Sequence, residues 1–583
     1  MENIPSFQRF KSLFFLSLCS LFPQGFSVYS FNCTGVTLEM KVSNWTQYLP
    51  VFLPLCLANP LVEQRAEIDA GIIDASACAA LGESLSLENV TVNFVNYVSA
   101  GTNITFNPGV GSSACSYRSA VVKTDMCRVA MAVKTSERSQ LTMEAWLPTN
   151  WTGRFLSTGN GGLQGCIQYP DLAYTAGLGF ATVGTNNGHD GTSGLPFANN
   201  PEVVHDFVDR AMHIGVVIGK QVSAQYYGTA HTKSYYLGCS TGGRQGFKAI
   251  QTYPEDFDGV VAGAPAFAFP NLTAWSGHFY PMFGNASSAS YIPAGSKWQL
   301  VHQEVLKQCD AIDGIADGIL EDPNLCHFRP ESLQCVSSRP STNTANCLTK
   351  PQVKAVREAL SDYLDDKGNL IYPRLQPGAE ILASNVLFAN GPFPYTTDWF
   401  RYVVYNDSTW DPATFNVRDA IAAAVQNPYN IMTWEGDLSA FQTRGGKVLH
   451  YHGLADFIIS SDNSPRYHEH VSDTMNLTSS ELDDFYRLFR VSGMGHCNGG
   501  LGAHNMGQQG SETSVMDPQN NVLLRMVDWV ENGGAPVTIT GTKYVNDDKT
   551  QGVSFVRNHC RYPLRNTCID PENYTKSEAW KCV

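Results

Sequence analysis

Tyr235-Tyr236-Leu237-Gly238-Cys239-Ser240-Thr241-Gly242-Gly243-Arg244-Gln245-Gly246 is the stretch on which the reading of this chain turns. An aromatic and apolar run with the character of a strand end meets Gly-Cys-Ser-Thr-Gly, and a helix-compatible segment follows over 245–253. Strand, G-x-S-x-G and helix in that order make a nucleophile elbow. Glycines flank the serine because the turn is too tight for neighbouring Cβ atoms and forces the serine backbone into strain. The turn exposes the Ser240 hydroxyl and leaves the Thr241 amide free at a helix N-terminus, where it can stabilise a developing oxyanion. In a chain with 50 glycines the pentapeptide alone would equally serve as an ordinary turn, so its partners downstream decide.

An elbow serine needs a base, and the base needs an orienting carboxylate, in the chain order Ser, Asp or Glu, His. Strand character at 447–452 is followed by Gly453-Leu454-Ala455-Asp456, and the loop just past a strand end can point Asp456 at the elbow. Asp462 is its rival, farther from the strand. After a strand at 485–491, Ser492-Gly493-Met494-Gly495-His496-Cys497 puts His496 in a glycine-flanked loop. His450 and His452, inside the earlier strand, read as structural. Cys239 precedes Ser240 and Cys497 follows His496, so an approach of the serine to the imidazole would bring the two sulfurs within bonding geometry. That bond would clamp the nucleophile loop to the base loop.

The N-terminus reads as a secretory signal, residues 1–27: Arg9 and Lys11, an apolar core over 13–21, then the small residues Gly25 and Ser27. No later apolar run reaches membrane-spanning length, so the expectation is a soluble, exported, extracellular chain. Ten N-x-S/T sequons, at Asn32, Asn44, Asn89, Asn103, Asn150, Asn271, Asn285, Asn406, Asn476 and Asn573, predict a glycoprotein. Of 16 cysteines, Cys19 lies in the signal, and most of the odd number left should pair in an oxidising compartment. Short spacings suggest clips between Cys309 and Cys326, Cys335 and Cys347, and Cys560 and Cys582. No C-x-x-C pair argues for structural zinc. Removing residues 1–27 (Glu2, Arg9 and Lys11, net +1) takes the formal charge from −14 to −15. An acidic surface speaks against nucleic acid or an anionic membrane as partner.

Along the chain, residues 28 to about 140 read as a disulfide-braced region of short strands. Strands then alternate with helices: 143–147, 154–157, 180–184, a long amphipathic helix over 203–227, the elbow, and a strand at 257–262. The alternation predicts a parallel sheet with crossover helices. It is interrupted over 268–443, with helical pieces at 298–308, 350–364 and 417–424, and resumes at 447. The resulting plan is an α/β-hydrolase catalytic domain made of 28–267 and 444–583, with 268–443 inserted as a lid domain over the catalytic face. Phe267, Phe269, Trp275, Phe279, Tyr280 and Phe283 open the insertion; they could wall a phenolic pocket or form the lid's own core.

Taken together, Cys239-Ser240, Asp456 and His496-Cys497 resemble the fungal tannase and feruloyl esterase family, and its secreted feruloyl esterases most closely. The resemblance runs from about Cys115 to the C-terminus and includes Trp151-Thr152-Gly153-Arg154-Phe155-Leu156-Ser157-Thr158-Gly159-Asn160-Gly161-Gly162, Gly184-Thr185-Asn186-Asn187-Gly188-His189 and Cys309-Asp310. Residues 28 to about 75 exceed the family's usual N-terminal length. The resemblance implies an α/β-hydrolase core under a lid, with Ser240, Asp456 and His496 as triad. It also pairs Cys78 with Cys127 and Cys115 with Cys166, and leaves Cys33, Cys56 and Cys568 unassigned. A second oxyanion donor is expected from the glycine loop, at Gly161 or Gly162. Asp310, Asp313 and Asp317, spaced by three and four between Cys309 and Cys326, can converge on a hard cation or form an acidic turn series. The family's lid calcium site favours a structural calcium, held by those three carboxylates and the carbonyls of Ile315 and Ile319.

The function these features imply is hydrolysis of carboxylic esters of ferulic or related hydroxycinnamic acids on plant cell-wall polysaccharides. The alternatives are a tannase cleaving gallate esters, or a catalytically silent glycoprotein that binds phenolic or wall polysaccharide ligands.

Overall fold

The computed structural model describes residues 73–583 apart from Val110, 337–344 and 509–514. The expected signal, Cys33, Cys56, Asn32 and Asn44 lie outside the described residues. A nine-stranded sheet carries the fold. In chain order its strands are β1 (Val90–Val98), β2 (Met126–Ser136), β3 (Ser139–Pro148), β4 (Arg154–Thr158), β5 (Phe180–Thr185), β6 (Lys233–Cys239), β7 (Gly259–Gly263), β8 (Lys447–Gly453) and β9 (Tyr486–Val491). Across the sheet they run β1-β2-β3-β5-β4-β6-β7-β8-β9.

The last six positions, from β5 to β9, are parallel, and their strands are buried nearly throughout because helices cover both faces. Successive residues alternate between two cores. Phe155, Val183, Tyr236, Val260 and Val448 face one, with Phe247 and Tyr467 from the helices Thr241–Thr252 and Asn463–Met475. Leu156, Tyr235, Leu237, Val261 and Leu449 face the other, with Met526 and Trp529 from the helix Val522–Asn532.

The sheet is mixed rather than parallel throughout. β1, β2 and β3 pair antiparallel, and β3 meets β5 antiparallel. Residues 28–140, expected to hold short strands, thus supply nine- and eleven-residue strands that extend the central sheet. Period-two burial of Val129, Met131 and Val133 supports them, and a two-residue turn at Glu137-Arg138 returns the chain antiparallel. The expected single helix over 203–227 is broken into Pro201–His205, a π turn at Asp206–Arg210, and Ala211–Tyr227. Asp206, fully buried, bonds Arg210 and Thr135 at that break.

Between β7 and β8 the chain leaves the sheet and builds a separate helical core around Trp275, Phe279, Trp298, Val301, Val353 and Trp399. Its first helix, Phe269–Phe283, was not apparent in sequence because Pro270 and Pro281 sit in its first and last turns. The helix expected over 350–364 ends at Ala359; Tyr363–Leu364 instead pairs with Leu370–Tyr372 across a turn in which Asp365 accepts from the amides of Lys367 and Asn369.

Candidate active site

β6 ends at Cys239, and the helix Thr241–Thr252 starts one residue beyond Ser240. Ser240 holds φ 65° and ψ −123°, a conformation that non-glycine residues rarely adopt. The turn around it leaves no room for side chains: a Cβ at Gly243 would lie 2.2 Å from the Gly263 carbonyl oxygen. Ser240 Oγ stands 2.9 Å from His496 Nε2, and His496 Nδ1 stands 2.7 Å from Asp456 Oδ2.

Asp456 is fully buried in the turn after β8, and its Oδ1 accepts from the amides of Ile458 (2.9 Å) and Ile459 (3.0 Å). Burial alone would raise its pKa, but the His496 and His452 rings outweigh that and hold the carboxyl well below the usual carboxylate range. Its rival Asp462 points elsewhere, accepting from Asn324 Nδ2 at 2.6 Å. His450 and His452 are buried in β8 away from the serine, yet His452 Nε2 reaches Asp456 Oδ2 at 3.2 Å. Sequence reading missed that contact.

A disulfide joins Cys239 to Cys497, with Cα atoms 6.0 Å apart. Among the described residues the other bonds are Cys78–Cys127, Cys115–Cys166, Cys309–Cys326, Cys335–Cys347 and Cys560–Cys582, and Cys568 is buried and free. Thr241 Oγ1 donates to the Gly162 carbonyl at 2.7 Å, tying the elbow to the glycine loop. Behind that loop Gln245 Nε2 donates to Asn160 Oδ1 and Asn187 Oδ1, and Asn160 N donates back to Gln245 Oε1. Those three amide side chains lie within the quoted sequence motifs, but their joint role as a buried clamp is visible only in three dimensions.

Ser240, Thr241, Gly161, Gly162 and His496 share one cavity of about 250 Å³. Its wall is mostly apolar, from Leu163, Phe269, Leu272, Phe393, Ile458, Ile459 and the ring of Tyr395, with Gln164, Gln168, Thr273, Ser276 and the Tyr395 hydroxyl as polar points. Of the six aromatics that open the insertion only Phe269 lines it; Phe267, Trp275, Phe279 and Phe283 are buried in the cores. A hydroxyl, an imidazole and a buried carboxylate in this alignment form a proton path from Ser240 to a ring that Asp456 orients.

The acidic loop lies apart from this cavity. Asp310 accepts from Gly318 N, Asp313 from Ile315 N and Glu321 N, and Asp317 from Ile319 N while pairing with Arg557 at 3.0 Å. Glu321 also pairs with Arg557. Burial pushes Asp313 up to about 7, with the charges of Glu321 and Asp317 adding to it. Asp317 and Glu321 thus share one buried guanidinium, while Asp310 and Asp313 are turned onto backbone amides. Each is turned onto an amide or a partner, and among the described residues no three His, Cys, Asp or Glu side chains already converge as a metal-binding group.

The family described as tannase and feruloyl esterase matches residues 127–583. A protein of Neosartorya fischeri named probable feruloyl esterase B-2 is 55% identical over 506 residues, 87% of this chain and 95% of that protein. The crystal structure of feruloyl esterase B from Aspergillus oryzae is 50% identical, superposes with a TM-score of 0.84, and covers 87% of this chain and 100% of that one. A tannin acyl hydrolase from Aspergillus niger, 23% identical with a TM-score of 0.67 over 87% of this chain and 94% of that one, shares the fold.

Proposed function

The chain belongs to the tannase and feruloyl esterase family and is a carboxylic ester hydrolase, and we propose that it is secreted and releases ferulic or related hydroxycinnamic acids from plant cell-wall esters through an acyl-enzyme on Ser240. The alignment of Ser240, His496 and Asp456 at the foot of an apolar cavity carries this reading. His496 takes the Ser240 proton as the oxygen attacks the ester carbonyl, and Asp456 holds the ring in the tautomer with Nδ1–H. The Thr241 amide, with Gly161 or Gly162 opposite, stabilises the oxyanion. The alcohol leaves with the proton from His496, and water activated by the same ring releases the acid.

Residues 268–443 act as the lid in this reading, since Phe269, Leu272, Thr273, Ser276, Phe393 and Tyr395 close the cavity over Ser240. A mostly apolar wall with a few polar side chains suits a phenolic acyl ring, and the hydroxycinnamoyl choice over galloyl follows the named relatives. Export is supported, among the described residues, by six disulfides, by the absence of a helix long and apolar enough to cross a membrane, and by exposure of Asn89, Asn103, Asn150, Asn285, Asn406 and Asn476. Asn271, half-buried and donating to the Ile371 carbonyl, is a poor acceptor for sugar. The donor chemistry of the acidic loop fits calcium, whose charge would balance the surplus of buried carboxylates. Asp310, Asp313 and Asp317 with the carbonyls of Ile315 and Ile319 would hold it, in a structural role.

The test is a panel of aryl esters with wild type and Ser240→Ala. Wild type should hydrolyse methyl ferulate well above methyl gallate and take up a fluorophosphonate probe, and Ser240→Ala should do neither. Preference for gallate would move the protein to the tannase side of the family. Failure to label would point to a silent binder.

A further inference from the structure

Behind the serine, imidazole and carboxylate lies a second row of buried polar side chains that the mechanism above does not use. His452 Nε2 meets Asp456 Oδ2 at 3.2 Å, the same oxygen that His496 Nδ1 meets at 2.7 Å. His452 Nδ1 is 2.6 Å from Ser464 Oγ, Ser464 Oγ is 2.8 Å from His450 Nε2, and His450 Nδ1 is 2.9 Å from the Tyr486 hydroxyl. β8 supplies both histidines, β9 supplies Tyr486, and the helix Asn463–Met475 supplies Ser464. All four side chains are fully buried.

With both rings neutral, the protons in this row have one arrangement. A carboxylate only accepts, so His452 carries its proton on Nε2 and its bare Nδ1 accepts from the Ser464 hydroxyl. The serine oxygen then accepts from His450 Nε2–H, and His450 Nδ1 accepts from Tyr486. Each link donates toward Asp456. Burial above all keeps His450 neutral, and burial likewise holds the Tyr486 phenol well above its ordinary value. The ionisable groups facing the row are His468 and Tyr467 from the helix and Tyr372 from residues 268–443, with Arg561 beside His468 and Arg466 near Tyr372.

We infer that His452, with its tautomer set by Ser464, His450 and Tyr486, is a positioning residue that turns Asp456 Oδ2 onto His496 and takes up part of that oxygen's charge. The inference rests on Ser240, His496 and Asp456 acting as proposed above. Removing the donor leaves the carboxylate held by its two backbone amides on Oδ1 alone. It also concentrates charge on the oxygen facing His496, so that ring binds its proton more tightly. The rate should fall and the acid limb of the pH profile should move to higher pH.

The experiment is kcat, KM and the pH profile of kcat/KM on methyl ferulate for wild type, His452→Phe, His452→Gln and Ser464→Ala, with circular dichroism as a check on folding. His452→Phe should lose on the order of 10-fold in kcat with KM nearly unchanged, the scale of one hydrogen bond to a charged group, and its acid limb should rise by about half a pH unit. His452→Gln, which keeps an N–H near the same place, should recover most of the rate and the wild-type limb. Ser464→Ala removes the hydroxyl that holds His452 Nδ1, loosening the ring's hold on Asp456, and should fall between. Equal losses in His452→Phe and His452→Gln with an unmoved acid limb would overturn the inference in favour of plain packing. Wild-type kcat and profile in Ser464→Ala would overturn it even where His452→Phe does not fold. Activity surviving in Ser240→Ala is a separate outcome that would overturn the proposed chemistry itself.

Discussion

Replacing Cys239 and Cys497 together by alanine should lower both stability and rate, for two distinct reasons. The bond closes a loop of 258 residues. Bonds at Cys309–Cys326 and Cys335–Cys347 close loops of 17 and 12 residues inside it, shortening it by only about a tenth, which a logarithmic dependence barely registers. The chain-entropy relation then gives about 5 kcal/mol at 25 °C. A chain of roughly 500 ordered residues unfolds with an entropy near 1 kcal/mol per kelvin, so the melting temperature should drop by about 5 °C. The rate effect is local. Each sulfur belongs to a residue adjoining Ser240 or His496, and those two side chains must keep their 2.9 Å separation. A shift of about 1 Å in such a pair costs on the order of 100-fold, so kcat on methyl ferulate should fall 10- to 100-fold with a smaller change in KM. Differential scanning calorimetry and steady-state kinetics on the purified double variant measure both. A variant that melts within about 1 °C of wild type and keeps its kcat would refute the view that this bond holds the nucleophile to its base.

Three further outcomes follow from the geometry. Gly162→Ala should lower kcat/KM at least about 10-fold, because Gly162 has φ +53° and a Cβ there would lie 2.4 Å from the Tyr395 ring; Gly161→Ala, whose Cβ meets nothing nearer than Gln164 Oε1 at 3.8 Å, should be milder, and the two kinetic constants compared directly check it. Added calcium should stabilise chelator-treated protein by about 2.7 kcal/mol at a hundredfold excess over Kd, raising its melting temperature by about 3 °C without changing kcat at 25 °C, and Asp313→Asn should abolish the rise; a null calorimetric titration would sink the site. His468 and His559, buried and held down to about 4 by desolvation above all, gain protons on unfolding at pH values between about 4 and 6.5, where the unfolded state binds more protons. Stability should therefore fall on acidification through that window, by about 1.4 kcal/mol per pH unit for each ring, and denaturant melts of His468→Gln and of His559→Gln should each show a slope flatter by up to one proton.

Much of the parallel half of the sheet was legible because strands buried on both faces read as short, mostly apolar runs, as at 180–184 and 235–239. The antiparallel half was not. Pairing direction depends on the turn at Glu137-Arg138 and on which edge the hairpin joins, and neither leaves a periodic signal. The π turn at Asp206–Arg210 was hidden for a similar reason: its cause is the burial of Asp206 against Thr135, 71 residues away in sequence. His452 looked structural because a histidine inside an apolar strand shows nothing of what lies beyond its ring.

Read alone, the residues determined the local devices: an elbow at Gly238–Gly242, an acid loop and a base loop after two strands, and cysteines adjoining Ser240 and His496. Those are matters of backbone conformation and chain order, which short stretches encode through glycine, strand propensity and spacing. Tertiary structure decided between Asp456 and Asp462, placed Asn160, Asn187 and Gln245 behind the glycine loop, drew Phe393 and Tyr395 across the cavity, and lined up His452, Ser464, His450 and Tyr486 behind the carboxylate. Each of these is a meeting of side chains from segments far apart in sequence, and a distance in space between such segments exists only once the chain has packed.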